Sequence, residues 1–238
     1  MIPPPTREDL LEAYAITDRG VPNVRMNFVS SLDGAVTLEG RSAGLGDEYD
    51  RLAMQVLRAL TDVVLVGAGT VRVEGYGGLR VGEADAAWRR SHGLAPQPRV
   101  AVVSSRLDLG PEHPVFARAV ERPIVVTRES APADRRAALA DVADVLVCGD
   151  DTVDLGMMLG ALAGLGLRQV LCEGGPHLFG SLVESDLVDE LCLSLSPLLV
   201  AGGAGRIVRG APEVAHRMRL VHAIPAGDLL LLRYARAR

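Results

Sequence analysis

At 238 residues the chain has the length of one large domain or two small ones, and 48% hydrophobic with 23% charged residues excludes wholesale disorder. All 25 basic residues are Arg, so no step can use a Schiff-base lysine, a Walker-type phosphate lysine or a lysine base. A net charge of −5 without a basic block argues against a nucleic-acid partner, and no run reaches the roughly 18 to 20 apolar residues of a membrane span.

In chain order, Met1-Ile2-Pro3-Pro4-Pro5 has neither the basic nor the apolar stretch of a secretion signal, which predicts a cytoplasmic chain. Residues 24–29 read as a first strand. Residues 47–60 read as a helix with Leu52, Val56, Leu57 and Leu60 on one face and Asp47 and Glu48 in its first turn. Strands follow at 63–66, 100–103, 124–127 and 145–148, each short, β-branched and bounded by Gly, Pro, Asp or Ser. A helix over 154–165, a strand at 170–172, a helix over 176–184 opened by Pro176, and a strand within 187–195 complete the alternation. Residues 217–222 and 228–234 read as strands joined by the turn 224–228, an antiparallel hairpin closing one edge of the sheet. Residues 96–98 and 111–114 read as loops. With no linker and no repeat, the pattern predicts a single α/β domain over 1–238, its mostly parallel sheet flanked by helices. Cys148, Cys172 and Cys192 lie in apolar runs without metal-ligand spacing, which predicts buried free thiols and no metal site.

Four glycine-bearing segments follow apolar runs, where ligands bind in open α/β sheets. They are Ser31-Leu32-Asp33-Gly34, Val66-Gly67-Ala68-Gly69-Thr70, Cys172-Glu173-Gly174-Gly175-Pro176-His177 and Gly202-Gly203-Ala204-Gly205. The third carries most information: two glycines permit a tight turn from strand to helix, and the helix start presents free N–H groups to an anion such as a diphosphate, although a plain β–α turn reads the same way. The fourth is as readily a mobile loop. No G-x-G-x-x-G follows a strand, no G-x-S-x-G occurs, and the five histidines have no nucleophile at catalytic spacing. Arg58 stands beside Leu57 on the apolar side of its helix, an unusual place for a solvated guanidinium.

In the order Ser31-Leu32-Asp33-Gly34, Leu57-Arg58-Ala59, Val66-Gly67-Ala68-Gly69-Thr70, Gln97-Pro98-Arg99, Glu173-Gly174-Gly175 and Val188-Asp189-Glu190, these segments resemble the riboflavin-biosynthesis reductase family over about residues 23–234. That family is the C-terminal half of the bifunctional riboflavin deaminase–reductase and is similar to dihydrofolate reductase in fold. The resemblance implies NADPH-dependent reduction of 5-amino-6-(5-phosphoribosylamino)uracil to the ribitylamino product. It also implies a homodimer, to which the apolar residues 193–199 and 229–232 could contribute. For the cofactor it implies Val29 beneath the nicotinamide, together with Gly67, Thr70, Glu74 and the turn Gly174, Gly175, Pro176, His177, Leu178 and Phe179. Ser104, Ser105 and Arg106 correspond to its adenosine-phosphate loop, where a guanidinium could pair with the 2′-phosphate. For the phosphorylated substrate it implies Ser42, Arg58, Leu79, Arg80 and Glu173.

The usual Asp-Asp-Pro of the family is replaced here by Glu74-Gly75-Tyr76-Gly77-Gly78, which displaces Leu79 and Arg80 by about one position. Glu173 is a candidate substrate anchor or proton donor and Asp33 a second one, although Asp33 reads equally as a turn former before Gly34. The H-x-E and P-C-x-x-C signature of a zinc deaminase is absent, so the resemblance is to the reductase half alone. A reductase of a folate or pteridine-like ring and a non-catalytic nucleotide-binding relative are the competing readings.

Overall fold

The computed structural model describes residues 3–237. Its elements, in chain order, are α1 (Arg7–Ala13), β1 (Asn23–Ser31), α2 (Glu48–Leu60), β2 (Val63–Gly67), α3 (Ala68–Glu74), α4 (Glu83–Ser91), β3 (Arg99–Val103), α5 (Pro114–Ala117), β4 (Ile124–Thr127), α6 (Ala133–Ala140), β5 (Asp144–Val147), α7 (Leu155–Gly164), β6 (Gln169–Cys172), α8 (Pro176–Glu184), β7 (Glu190–Ser196), β8 (Met218–Ala226) and β9 (Leu229–Arg236). The nine strands form one sheet in the order β5-β4-β3-β2-β6-β1-β7-β9-β8. The first seven run parallel; β9 and β8 are antiparallel to their neighbours. This is the α/β architecture with a terminal hairpin that the alternation predicts.

The near-continuous apolarity of the central strands has its reason in the two cores. Val64, Val66, Leu171 and Cys192 project to one face of the sheet and pack under α1 and α2 with Leu10, Val56 and Leu57. Met26, Leu65, Val170 and Cys172 project to the other and pack under α7 and α8 with Met158, Leu162 and Leu182. The three cysteines are buried and unpaired, and burial pushes the thiols of Cys172 and Cys192 up to about 12. Of the apolar run 229–232, Leu229 and Leu231 belong to the first core. Leu220 and Val221 on the edge strand β8 are instead 48% and 40% exposed.

Helix starts agree with the acidic and small residues ahead of them. Asp47 caps α2 by accepting from the amides of Tyr49 and Asp50 at 2.8 and 3.0 Å, and Asp154 caps α7 through Met157 at 2.8 Å. The boundaries differ in places. Helix α3 begins at once after β2, so the segment from Gly67 to Thr70 is a helix start, and within the expected loop 111–114 Pro114 opens the short α5. The hairpin turn is narrower than 224–228, because Pro225 remains in the edge strand β8, where a missing N–H is tolerated.

Strand β6 lies between β1 and β2, and the strand order reverses around it. Crevices at the carboxyl ends of strands form at such reversals, and here the ends of β1, β2, β3 and β6 meet α2, α3 and α8.

Candidate active site

At this reversal lies a cavity of about 600 Å³, and beside it an open lobe of about 1050 Å³. Gly67, Gly69, His177 and Leu178 line both.

The junction between the two is made from helix starts. Gly67 caps α3 and Gly175 caps α8, and neither helix has a side-chain cap, so first-turn N–H groups are left to the cavity. The Gly67 amide donates to the Gly174 carbonyl at 2.8 Å, which locks the two starts together. Gly174 has φ +98°, and a Cβ there would stand 3.1 Å from Cζ of Phe28. A Cβ on Gly175 would strike Oγ1 of Thr70. The two glycines are therefore required by left-handed backbone at one and by the Thr70 hydroxyl at the other.

The wall of the 600 Å³ cavity is one face of α2. Asp50, Met54 and Arg58, each four residues apart, point into it. Its floor comes from the sheet, with Asn27 and Val29 of β1 and Glu173 just beyond β6. Glu173 is held from two sides. Arg58 donates to it bidentately, Nε to Oε1 at 2.6 Å and a terminal nitrogen to Oε2 at 2.6 Å, and the Tyr76 hydroxyl donates to Oε2. The side chains of Glu173 and Arg58 are 4% and 19% exposed, so this is a largely desolvated pair with fork geometry. Burial, and then the adjacent Glu173 carboxylate, hold the Tyr76 phenol far above its ordinary range, so it remains a hydrogen-bond donor. Glu173 thus accepts three hydrogen bonds, two from Arg58 and one from Tyr76.

Most of the residues implied by the resemblance converge here. Val29, Ser42, Arg58, Gly67, Thr70, Glu74, Glu173, Gly175, Pro176, His177 and Leu178 line the cavity. Glu74 has an internal task as well, accepting from the Ser42 amide at 3.1 Å. Ser104, Ser105 and Arg106 line the open lobe; the Arg106 side chain is 76% exposed, 3.9 Å from Asp108.

Leu79, Arg80, Phe179 and Asp33 lie outside the cavity lining. Leu79 is buried in the first core and Arg80 is exposed, and neither lines the cavity. The physical cause is the altered segment: Gly75 ends α3 in left-handed conformation, and Gly78 packs so closely on the Arg118 carbonyl that a Cβ would overlap it. The chain is thereby carried toward α5, and Tyr76 takes the place at the cavity. Phe179 is a core residue stacked on Phe28 at 5.2 Å. Asp33 lies outside the cavity lining. Its carboxylate accepts from the Ser31 hydroxyl and from the amides of Ala201 and Val200 at 2.7 and 3.2 Å, which hold it down to about 2. It ties the turn after β1 to the turn after β7.

Residues that the motifs did not reveal are Asp50, Met54, Tyr76, Asn27 and Arg209. The first two were signalled by their helical spacing from Arg58, eight residues for Asp50 and four for Met54. Arg209 lies beside α8, its amide donating to the Pro176 carbonyl at 3.0 Å, and its guanidinium makes no ion pair among the described residues. No helix among the described residues is long and apolar enough to cross a membrane.

Comparison with known proteins places this arrangement in company. The sequence pattern of the RibD C-terminal domain matches residues 22–232. The 2,5-diamino-6-ribosylamino-4(3H)-pyrimidinone 5′-phosphate reductase of Methanothermobacter thermautotrophicus is 32% identical over 219 residues, covering 90% of this chain and 97% of that one. In structure, a pyrimidine reductase-like protein from Corynebacterium diphtheriae superposes with a TM-score of 0.88 at 24% identity, covering 98% of this chain and all of that one. Dihydrofolate reductase from Enterococcus faecalis superposes at a TM-score of 0.50 and 13% identity over 92% and 98% of the two chains, a likeness of fold.

Proposed function

The chain belongs to the RibD C-terminal domain family, and from that premise we propose that it is an NADPH-dependent reductase of a 5′-phosphorylated ribosylaminopyrimidine in riboflavin biosynthesis. The candidates are 5-amino-6-(5-phosphoribosylamino)uracil and its 2-amino-pyrimidinone counterpart. The observation that carries the reading is the junction of two uncapped helix starts, closed by Gly174, Gly175 and Thr70, opening directly onto the Arg58–Glu173–Tyr76 cluster.

The residues present fit a dinucleotide. Free amides at the starts of α3 and α8 suit a diphosphate, and Arg209 adds a guanidinium without a carboxylate partner among the described residues. In the open lobe Ser104, Ser105 and Arg106 offer an exposed positive charge to a 2′-phosphate. A bound NADPH would supply the hydride that converts the open-chain imine carbon C1′ to a methylene, the nitrogen gaining a proton. The chain's own contribution is placement: Val29 gives an apolar floor to a nicotinamide, and Glu173, oriented by Arg58 and Tyr76, anchors ribosyl hydroxyls beside it. Ser42 lines the same cavity and offers a hydroxyl to the substrate.

The test is NADPH oxidation with each ribosylaminopyrimidine phosphate and with dihydrofolate, alongside NADPH titration. Turnover of either pyrimidine supports the reading, and turnover of dihydrofolate alone would transfer it to a pteridine-like ring. Failure to bind either reduced nicotinamide dinucleotide at millimolar concentration would overturn it. Arg106→Ala should weaken NADPH about tenfold or more, the size of one charged hydrogen-bonding pair, and leave NADH unaffected.

A further inference from the structure

The cavity contains a carboxylate that the reading above does not use. Asp50, in the first turn of α2, lines the cavity beside Val29 and Asn27, one helical turn from Met54 and two from Arg58. Its neighbours leave it short of donors. The Ser194 hydroxyl, 2% exposed on β7 and paired in register with Val29, hydrogen-bonds to it. No guanidinium forms an ion pair with it among the described residues, and the inward-facing Arg58 is committed to Glu173. Gly46 closes over it so tightly that a Cβ there would meet the Asp50 carboxyl. Burial raises the Asp50 carboxyl above its ordinary value, with Ser194 and Arg51 acting in the opposite sense. A carboxylate accepts about four hydrogen bonds, and this one has a single hydroxyl donor among the described residues. Asn27 on the adjacent floor makes no side-chain hydrogen bond among the described residues, so its amide has a donor and an acceptor to spare.

The two candidate pyrimidines differ at carbon 2. Beside their shared ring N–H at position 3, the pyrimidinone carries an amino group and the uracil a carbonyl. The first edge presents two donors side by side, matching two carboxylate oxygens; the second presents a donor and an acceptor, and its carbonyl would face a carboxylate oxygen. We propose that Asp50 reads carbon 2 of the substrate, accepting from the 2-amino group and the adjacent ring N–H, so that the chain takes the 2-amino-pyrimidinone in preference to the uracil. Asn27 serves the neighbouring carbonyl at carbon 4, common to both. This rests on the reading of the cleft as a ribosylaminopyrimidine reductase site, and it replaces the uracil by the 2-amino compound as substrate.

The experiment compares kcat/KM for the two phosphates in the wild type, Asp50→Asn and Asp50→Ala, with calorimetric binding of both compounds to the NADP⁺-loaded protein. A bidentate pair discriminates by about 1 to 3 kcal/mol, so the wild type should favour the 2-amino compound by roughly 5- to 150-fold in both measurements. The Asn amide matches the donor–acceptor edge of uracil, so Asp50→Asn should narrow or invert that ratio, Asp50→Ala should flatten it, and NADPH affinity should stay within twofold in both. A wild type that prefers the uracil or treats the two alike overturns the proposal, as does a folded Asp50→Asn variant with an unchanged ratio. Should either variant fail to fold, the wild-type ratio and isotherms decide by themselves. If neither compound is bound or reduced, the reading of the cleft falls first, an outcome distinct from turnover of both without dependence on Asp50.

Discussion

Replacing Glu173 by Gln tests whether the cavity depends on its buried ion pair. Gln keeps the shape but offers Arg58 one carbonyl and an amino group that faces the guanidinium donor to donor. Breaking a buried pair from one side costs about 3 to 5 kcal/mol. The Arg58 side chain retains 19% exposure, which puts the loss near the lower limit, about 3 kcal/mol. For a chain of this length that is a fall in Tm of roughly 6 to 12 °C. Tyr76→Phe removes one hydrogen bond to the same carboxylate, about 1.5 kcal/mol and roughly 3 to 6 °C. Because both groups act on one acceptor, the double variant should fall short of the sum by more than about 0.5 kcal/mol. Thermal melts of the ligand-free proteins read these values. NADPH titration and pyrimidine kinetics then separate stability from function: Glu173→Gln should keep NADPH affinity within twofold, while kcat/KM for the pyrimidine falls at least about tenfold, as expected for a lost charged hydrogen bond. A Glu173→Gln protein that melts within a degree of the wild type with unchanged kcat/KM, or strict additivity in the double variant, would refute the account of the cluster as one unit.

Three further outcomes follow from the geometry. Gly174→Ala places a side chain at φ +98° and a Cβ against Phe28, a strain of about 1 to 3 kcal/mol in the turn that opens α8, so NADPH affinity should fall at least several-fold by fluorescence titration. Asp33 has its folded value held down to about 2 by Ser31, Ala201 and Val200, against 3.8 ordinarily. Its stabilising effect is present above the unfolded value and disappears as pH falls through the folded one, so the Tm difference between the wild type and Asp33→Asn should be full at pH 5 and close toward pH 2; a gap independent of pH would remove the tether. The edge strand β8 exposes Leu220 and Val221, and pairing of two copies through it predicts a light-scattering mass twice that of the chain; a single-chain mass would discard this interface.

The α/β class, the parallel strands and the terminal hairpin were legible in the sequence because they rest on local patterns: β-branched runs of four to six residues, acidic helix starts, and glycines at strand ends. The strand-to-helix corner at Glu173-Gly174-Gly175-Pro176 was legible for the same reason, since a strand, two glycines and a proline-opened helix are contiguous. Short helices such as α3 and α6 were not, because their few turns carry too little periodicity to separate them from loops. What only the tertiary structure decided is which distant side chains share the cavity. Arg58 and Glu173 are 115 residues apart, and their pairing depends on β6 lying next to β2, beneath α2. The exit of Leu79 and Arg80 from the site, and the entry of Tyr76, depend on how closely Gly78 can approach the chain at Arg118. Local propensity describes a segment's own backbone; the identity of a cavity wall is set by packing between segments, which sequence neighbours do not encode.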